Sequence, residues 1–348
     1  MQPLAVVGGL LFTGLRDVTS DLGALDGEGW WAVVVPYDGA PVCARFERVR
    51  PARPWPGPRW EGPAPGAWVS SLDRPGYEKG VETVRECIAA GDVYQVNLCR
   101  VLSAPAPAGA DVAALGAALA VGNPAPYSAV VRVPPAGVHV ASASPERFLR
   151  RERGRVWSSP IKGTAATADG FLAKDRAENV MIVDLVRNDL GRVCEHGSVD
   201  VPGLCVPEAH PGLFHLVSTV TGRLRAGVGW PALIDATFPP GSVTGAPKLA
   251  AMDVIQRLEP ASREVYCGAV GWVDAGGRRG ELNVAIRTFW LSEGRLRFGT
   301  GAGITYDSTP AGEWEETELK ARTLIGLASA AGSGDRASAA GSGDRASA

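Results

Sequence analysis

Lysine, histidine and methionine are scarce in this chain, whereas arginine is abundant. The 35 basic residues among 348 comprise 30 arginines and only five lysines, which are Lys79, Lys162, Lys174, Lys248 and Lys320. An arginine guanidinium keeps its proton in proteins, whereas a lysine amine can lose its proton and act as a nucleophile. A lysine in so arginine-rich a sequence is therefore a candidate for chemistry that arginine cannot perform.

Features that define several other protein classes are also missing. No apolar run approaches the roughly 18 residues of a membrane-spanning helix, and the apolar start has no charged side chain before Arg16, unlike a signal peptide. The formal net charge of −2 and the lack of a basic stripe disfavour nucleic-acid binding. The six cysteines form no CxxC pair, which favours reduced thiols. We expect a cytoplasmic globular protein without nucleic-acid or membrane partners.

Composition divides the chain into three parts. Residues 1–72 hold short apolar runs followed by a proline-rich linker, with six prolines between residues 51 and 67. Residues 73–327 carry helical and strand patterns throughout and are predicted to form the catalytic core. Residues 328–348 include the segment AGSGDRASA twice, which predicts a disordered tail.

The patterns within the core predict an α+β fold. Helices are predicted over residues 73–91 and 174–193, the second with Val180 on its apolar side and a glycine at its end. Residues 282–291, "LNVAIRTFWL", read as one strand. Because strands and helices do not alternate in a regular βαβ rhythm, antiparallel sheets are expected.

Carboxylates recur at helical spacing in two places. Asp175 and Glu178 lie at i and i+3, and Glu313, Glu316 and Lys320 lie at i, i+3 and i+7 in the last predicted helix. Each set lies on one face of its helix, and two such faces brought together would suit Mg²⁺. The alternative is that both sets are solvated helix faces, which is the usual place of Asp and Glu.

Two further features allow a binding function or a purely structural one. The segment "FGTGAGIT" places Gly299, Gly301 and Gly303 after a strand, where backbone amides could hold a carboxylate or simply form a turn. His215 lies within an apolar strand, where it is either a site residue or a core histidine with its hydrogen bonds satisfied. No Ser-His-Asp or Cys-His signature is present.

Eight segments, in order, resemble the chorismate-utilising enzymes, a family that includes anthranilate synthases, aminodeoxychorismate synthases and isochorismate synthases. The segments are GDVYQVNLCR (91–100), SASPERFLR (142–150), PIKGTAAT (160–167), AENVMIVDLVRNDLGRV (177–193), HLVSTVTGRL (215–224), FPPGSVTGAPKLAAMDVIQRLEP (238–260), AIRT (285–288) and GTGAGITYDSTPAGEWEETELKA (299–321). The resemblance implies a large α/β sandwich of antiparallel sheets flanked by helices, with chorismate and Mg²⁺ in a central cleft.

The resemblance also assigns roles to individual residues. It implies that Glu178 and Glu316 ligate Mg²⁺ with support from Asp175 and Glu313, and that Glu146 is a general acid. His215 is placed with the catalytic residues, beside the substrate ring. The implied substrate contacts are Gly163, Thr164, Ser242, Tyr266, Arg287, Gly301, Gly303 and Lys320.

Lys162 separates the activities within the family. By this resemblance, anthranilate synthases have a segment similar to "PIAGT" at this position, whereas aminodeoxychorismate synthases have one similar to "PIKGT". This chain has "PIKGT". The implied reaction is attack of the Lys162 amine on C2 of chorismate with loss of the C4 hydroxyl, followed by attack of ammonia at C4. The resemblance implies that isochorismate synthases carry a water-activating lysine at the position of Gln95. Because glutamine cannot act as such a base, ammonia is the expected nucleophile.

The implied partners are chorismate and a separate glutamine amidotransferase that delivers ammonia. The product would be 4-amino-4-deoxychorismate, a precursor of 4-aminobenzoate and folate. Two alternatives remain, namely an anthranilate-type synthase that aminates C2 and releases pyruvate, and a non-catalytic chorismate-binding protein. For Lys162 itself, the alternative is an exposed loop amine.

Overall fold

A computed structural model of the protein describes residues 1–210 and 213–329. The predicted tail residues from 330 onward lie outside this range. The strands of the described part are β1 (Leu4–Val7), β2 (Leu10–Thr19), β3 (Trp30–Val35), β4 (Val42–Pro51), β5 (Val69–Ser70), β6 (Gln95–Pro105), β7 (Tyr127–Val133), β8 (Val138–Ser144), β9 (Arg147–Glu152), β10 (Arg155–Ser159), β11 (Ile161–Ala165), β12 (Asp200–His210), β13 (Leu213–Arg223), β14 (Gly245–Ala246), β15 (Ala269–Asp274), β16 (Arg279–Val284), β17 (Thr288–Ser292) and β18 (Arg295–Ile304).

The α-helices of the described part cover the sheet. They are α1 (Arg74–Ala90), α2 (Val112–Gly122), α3 (Ala173–Gly191), α4 (Trp230–Thr237), α5 (Lys248–Leu258) and α6 (Pro310–Ala328). Helix α1 begins where the Asp73 side chain accepts a hydrogen bond from the amide of Gly76, and it ends at Gly91 in a left-handed conformation. Both ends therefore follow the usual capping chemistry, as the sequence predicts.

All strand ladders within the described residues are antiparallel, and they form one continuous path. In spatial order the path is β12, β13, β10, β9, β16, β15, β3, β4, β2, β1, β7, β8, β17, β18 and β6. Strand β11 also pairs with β13, whereas β5 and β14 pair with β6. The expected α+β fold with antiparallel sheets and flanking helices is confirmed.

The N-terminal strands are part of this path. Strand β1 pairs with β7, and β3 pairs with β15, so both are hydrogen-bonded to strands that follow residue 73. The proline-rich stretch over residues 52–64 has no regular secondary structure. The boundary after residue 72 stays a prediction about domain organisation.

Three buried apolar clusters hold the sheet and helices together. The largest joins strands from distant parts of the path, including Phe12 of β2, Val33 of β3, Val131 of β7 and Leu282 of β16. Full burial of such a side chain contributes about 1.5–3 kcal/mol. The smaller clusters lie beneath α2 and α6 and beneath α1 and α5. The core thus fixes the relative positions of strands that carry the candidate site.

The exposure of Val180 and a break at Arg287 differ from the sequence-based expectations. Val180, expected on the apolar side of α3, is 40% exposed, whereas the helix ends at Gly191 as expected, with Arg192 as its C-cap. The single strand expected over residues 282–291 is interrupted, because Arg287 adopts a left-handed backbone with φ of 51° between β16 and β17. Side-chain alternation does not reveal this break, since both flanking segments are equally apolar.

Gly271 of β15 provides a test of this close strand packing. A Cβ atom there would overlap the Glu281 carbonyl oxygen and lie 2.7 Å from the Leu282 Cα atom, and neither backbone atom can move aside. Gly271→Ala should lower the free energy of unfolding by about 1–3 kcal/mol. Urea denaturation measures this change. The matched control is Gly276→Ala, where a Cβ would meet nothing within 4 Å, and an equal loss in both variants would contradict the packing argument.

Candidate active site

The candidate site lies where the two ends of the strand path meet. The Lys162 ammonium on β11 donates a hydrogen bond to Glu178 Oε1 of α3 at 2.6 Å. The amide nitrogen of Gln95, at the start of β6, donates to the same oxygen. The Lys162 and Glu178 side chains are 12% and 20% exposed, so the pair is largely withdrawn from water.

Helix α3 brings Glu178 to this position by packing across β13. The Asn179 amide donates to the Leu216 carbonyl oxygen at 3.0 Å, and Ile182 and Val183 are buried in the main core. Glu178 therefore points towards the neighbouring β11. The helical spacing that predicts a shared carboxylate face is retained only in part, because the Asp175 side chain accepts from the Leu172 amide at 2.8 Å and caps the helix.

Glycines make room for this group of side chains. A Cβ atom on Gly303 would lie 2.6 Å from Glu178 Oε1 and 3.1 Å from Lys162 Nζ. Gly163 forms a bulge in β11 with φ of 72°, a conformation that favours glycine. The bulge follows Lys162 directly, so the chain changes its register immediately after the candidate nucleophile.

Lys162 is protonated in this arrangement. Burial alone would lower the pKa of Lys162, but the carboxylates of Glu178, Glu146 and Glu316 together raise it above the ordinary lysine value. A nucleophilic amine must be neutral, and these carboxylates oppose loss of its proton while they are charged. The lysine becomes nucleophilic only when they are neutralised or turned away from it.

Glu146 lies in the opposite kind of environment. It is located between β8 and β9 and is 3% exposed, and burial raises its pKa from 4.5 to about 7. The Ser242 hydroxyl, the Lys162 charge and the Ile161 backbone amide oppose this rise without cancelling it. A cavity of about 20 Å³ lies beside Glu146 and Ser242. Glu146 can therefore exist as a protonated acid near neutral pH, as a general acid must.

His215 connects the strand of Lys162 to Arg287. Its Nδ1 atom lies 3.2 Å from the Gly163 carbonyl oxygen and its Nε2 atom 3.5 Å from Arg287 Nη2. Thr164 is the ladder partner of His215. Burial lowers the pKa of Arg287, and no carboxylate pairs with it within the described residues. A half-buried guanidinium of this kind is suited to an anionic ligand.

The glycine strand β18 forms the adjacent wall. Lys320 of α6 donates to the Gly301 carbonyl oxygen at 3.1 Å and pairs with Glu316 at 2.7 Å. The Tyr266 ring lies directly against Gly299, where a Cβ atom would overlap it, and burial raises the pKa of the Tyr266 hydroxyl. The predicted substrate residues thus come from separate elements that converge on this wall and on β11.

The predicted metal carboxylates are brought only partly together. The carboxylates of Glu178 and Glu316 both raise the pKa of Lys162. Glu313 is half-buried, and burial raises its own pKa. Burial would also raise the pKa of Glu316, but Lys320 and other lysines lower it overall. No group of three or more His, Cys, Asp or Glu side chains that could hold a metal occurs within residues 1–210 and 213–329.

The donor set nevertheless fits Mg²⁺. This ion takes one or two protein carboxylates and keeps several waters, so two glutamates are sufficient. Gln95 Oε1 is a buried oxygen with no hydrogen-bond partner among the described atoms, and its amide group already contacts Glu178. Sequence reasoning used Gln95 only to exclude a water-activating lysine. Its place in the site follows from the sheet, which brings the start of β6 against α3.

Comparisons with known proteins identify the family. Residues 44–326 match the family model described as chorismate binding enzyme, which is most of the chain. The chain belongs to this family. The resemblance drawn from the eight sequence segments is therefore confirmed.

Curated relatives of this chain carry two kinds of name. The chain is 42% identical to the aminodeoxychorismate synthase of Streptomyces griseus, over 84% of its own length and 42% of that protein. It is 38% identical to aminodeoxychorismate synthase component 1 of Escherichia coli K12, over 74% of its own length and 58% of that protein. It is 40% identical to anthranilate synthase component 1 of Streptomyces coelicolor, over 74% of its own length and 52% of that protein. The chain thus spans about half the length of these relatives.

Solved structures share the fold of this chain. Anthranilate synthase component I of Streptococcus pneumoniae superposes with a TM-score of 0.75 at 27% identity, covering 93% of this chain and 89% of that one. The menaquinone-specific isochorismate synthase of Escherichia coli gives 0.78 at 20% identity, covering 94% and 89%, and supports the fold alone. None of the described helices is long and apolar enough to cross a membrane.

The raised pKa of Glu146 predicts how stability depends on pH. Ionisation costs more in the folded protein than in the unfolded chain, so the free energy of unfolding should fall as pH rises from 4.5 to about 7. The loss should reach about 3 kcal/mol and then level off, since the pKa shift is about 2.5 units. Glu146→Gln should remove this dependence and be more stable than wild type at pH 8.

Urea denaturation at pH 5 and pH 8 provides the measurement. The charge-matched control is Glu86→Gln, on an exposed part of α1. A stability gain at pH 8 that is no larger for Glu146→Gln than for Glu86→Gln would contradict the assignment of Glu146 as a buried neutral acid.

Proposed function

We propose that this enzyme aminates chorismate at C4, producing 4-amino-4-deoxychorismate through a covalent adduct with Lys162. The observation that carries the proposal is a largely buried lysine, bonded to Glu178, together with the buried Glu146, whose pKa of about 7 that lysine influences, in one chorismate-binding fold. Lysine is a suitable nucleophile once neutral, and Glu146 is a suitable proton donor. The relatives named aminodeoxychorismate synthase support the same reaction.

The two carboxylates of chorismate match two sets of donors. Arg287 has no counter-ion within the described residues, so it can take one carboxylate through its planar fork. The backbone of Gly301 and Gly303 and the Lys320 ammonium lie on the adjacent wall. His215 and Ser242 complete the surroundings of the ring on the side of Lys162 and Glu146.

Mg²⁺ would be held by Glu178 and Glu316 and would supply positive charge that neutralises these two carboxylates and holds a substrate carboxylate. With Glu178 neutralised, burial is the remaining large influence on Lys162, and it lowers the pKa of the amine. Lys162 can then lose its proton and attack. The ion pair of the ligand-free site therefore holds the nucleophile protonated until the site is filled.

The proposed reaction proceeds in two displacements. The neutral Lys162 amine forms a bond to C2 as the ring double bond shifts and the C4–O bond breaks, and Glu146 gives its proton to the departing hydroxyl, which leaves as water. Ammonia then forms a bond to C4 while the C2–N bond breaks and Lys162 leaves as an amine. The Glu146 carboxylate takes back a proton from the new ammonium group. Covalent catalysis thus replaces one difficult step with two easier ones.

A second candidate is the anthranilate-type reaction, with amination at C2 and release of pyruvate. The observation in its favour is 40% identity to an anthranilate synthase component 1, nearly the same as to the aminodeoxychorismate synthases. Overall identity therefore does not separate the two reactions. Lys162 does, because a buried amine at this place has no evident use in direct attack by ammonia.

The proposal includes a supply of ammonia. Relatives named component 1 imply a second component, which we take to be a glutamine amidotransferase. The product keeps its enolpyruvyl group and would require a lyase to become 4-aminobenzoate, on the route to folate. Free ammonium should replace the second component in vitro.

Product analysis tests the proposed function. The protein is incubated with chorismate, Mg²⁺ and an ammonium salt at alkaline pH, and the product is identified by mass and ultraviolet spectrum. A product that carries the amine at C4 and retains the enolpyruvyl group supports the proposal. Anthranilate and pyruvate would show the alternative reaction, and no turnover at any ammonium concentration would reject both.

Lys162 variants test the covalent step. Lys162→Ala and Lys162→Arg should reduce C4 amination to below about one-thousandth of wild type, because neither side chain provides an amine nucleophile. Intact-mass analysis of wild type with chorismate but without ammonium should reveal an adduct of chorismate minus one water. Substantial amination by either variant would exclude the covalent route, and Lys79→Ala at an exposed helix position is the control.

Glu316→Ala tests the metal assignment. Loss of one of two carboxylates should raise the Mg²⁺ concentration for half-maximal activity at least about tenfold. The matched control is Glu315→Ala, whose carboxylate is on the same helix and pairs with Arg74 at the surface. Binding of Mn²⁺, followed by electron paramagnetic resonance without substrate, should weaken only in Glu316→Ala. Identical titrations for the two variants would remove Glu316 from the metal site.

A further inference from the structure

Arg100 of β6 is a buried arginine that the proposed reaction leaves without a role. A guanidinium keeps its charge in proteins, so removing it from water is costly unless its donors find partners. The side chain extends from β6 towards α6, the helix that carries Glu316 and Lys320. The partners of Arg100 therefore bear on how this helix is held.

All three guanidinium nitrogens of Arg100 donate hydrogen bonds. Nε donates to the Thr317 hydroxyl at 3.0 Å, and Nη2 donates to the Glu318 carboxylate. Nη1 donates to the Ser70 hydroxyl at 3.1 Å, which ties β5 to the same group. The Cζ atom lies over the Trp314 ring, 4.1 Å from its centroid, in a cation–π contact. Three of these four partners belong to α6.

The residues that Arg100 holds lie beside the site residues of α6. Helical spacing puts Trp314, Thr317 and Glu318 on one face of the helix. Glu316 and Lys320 lie on the neighbouring face, and Thr317 follows Glu316 directly. A rotation of α6 that broke the first three contacts would therefore also move the proposed metal ligand and the proposed substrate contact.

The strands beneath this part of α6 also form the glycine wall of the site. Arg100 is the ladder partner of Thr300 on β18, whose hydroxyl donates to the Thr317 carbonyl oxygen at 2.9 Å. The next residue of β18, Gly301, accepts from Lys320 at 3.1 Å. The contacts of Arg100 and the glycine wall thus share one ladder, so Arg100 fixes α6 relative to that wall.

Arg100 itself does not face the candidate site. Gln95, at the start of the same strand, contacts Glu178. Side chains an odd number of positions apart on a strand lie on opposite faces of the sheet, and β6 pairs with β18 without a shift in register. Any effect of Arg100 on the site must therefore pass through α6.

We propose that Arg100 is the positioning residue that holds Glu316 of α6 at the proposed Mg²⁺ site. The inference rests on the proposed metal assignment and adds the group that orders one of the two ligands. The planar fork of arginine reaches Thr317 and Glu318 together while its face packs on Trp314. The compact ammonium of lysine would keep the charge but lose both the fork and the stacked face.

Binding of Mn²⁺ without substrate, followed by electron paramagnetic resonance, tests the positioning role. Arg100→Lys should raise the Kd for Mn²⁺ about three- to tenfold, because a side chain bonded directly to a ligand typically changes it about 10- to 100-fold. Thr317→Val removes one contact from the helix side and should also raise the Kd. The matched control is Arg132→Lys, since Arg132 is buried, bonded to Asp111 and placed over the Trp55 ring.

Enzyme kinetics separate positioning from a general loss of stability. In Arg100→Lys the Mg²⁺ concentration for half-maximal activity should rise by the same factor as the Kd for Mn²⁺. The kcat at saturating Mg²⁺ and chorismate should stay within about twofold of wild type, because bound metal draws Glu316 back into place. Urea denaturation of Arg100→Lys and Arg132→Lys shows how far each variant is destabilised.

Weaker Mn²⁺ binding in Arg100→Lys and Thr317→Val, but not in Arg132→Lys, supports the inference. If Arg100→Lys does not fold, Thr317→Val decides alone. Wild-type affinity in the Arg100 and Thr317 variants overturns the inference and leaves the proposed function intact, and an equal loss in Arg132→Lys also overturns it.

The same experiment distinguishes this inference from the proposed function. If wild type aminates chorismate but binds no Mn²⁺, the metal assignment and the role of Arg100 both fail while the amination stands. If wild type binds Mn²⁺ but does not aminate chorismate, the proposed function fails, and the binding data still decide the role of Arg100.

Discussion

The ion pair between Lys162 and Glu178 is the interaction on which the candidate site depends. It joins β11 to α3, and through the Gln95 amide it also reaches β6, at the other end of the strand path. A long antiparallel sheet can bring its ends together only if the intervening strands hold their register. The main core supplies this constraint, since it joins strands from distant parts of the path. The site is therefore a product of the whole sheet.

Two glutamates that influence the charge of the same lysine lie in different surroundings. Glu146 is fully enclosed, and burial raises its pKa to about 7 despite the nearby ammonium. Glu178 is more exposed and bonds directly to Lys162, and this contact raises the pKa of the lysine amine. Burial of Glu146 therefore favours its protonated form, whereas the contact with Glu178 favours the protonated, non-nucleophilic form of Lys162. The proposed metal would reverse only the second state, which couples activation of Lys162 to filling of the site.

The family uses one fold for different reactions, and a few side chains decide among them. Relatives named aminodeoxychorismate synthase and anthranilate synthase are about equally similar to this chain. On the proposed assignment, shared donors for carboxylates and Mg²⁺ would hold the same substrate class. The presence or absence of a nucleophile at the position of Lys162 would then decide which product forms.

The sequence by itself determined the family and the antiparallel α+β fold, and it singled out Lys162 as the candidate nucleophile. These conclusions rest on local patterns and on ordered motifs, which are read along the chain without knowing its path. Helix α1 and its glycine end are of the same kind, because capping is decided within a few residues.

Only the tertiary structure decided the protonation of Lys162, the contact of Gln95 and the break at Arg287. The Lys162 pKa is the sum of burial and three carboxylates from separate elements, and no local pattern contains that sum. Asp175 shows the same limit, because its helical spacing also suits a metal ligand, yet its carboxylate caps α3 in the folded chain. Electrostatic effects and hydrogen bonds depend on distances between residues far apart in sequence, and those distances exist only once the sheet has closed.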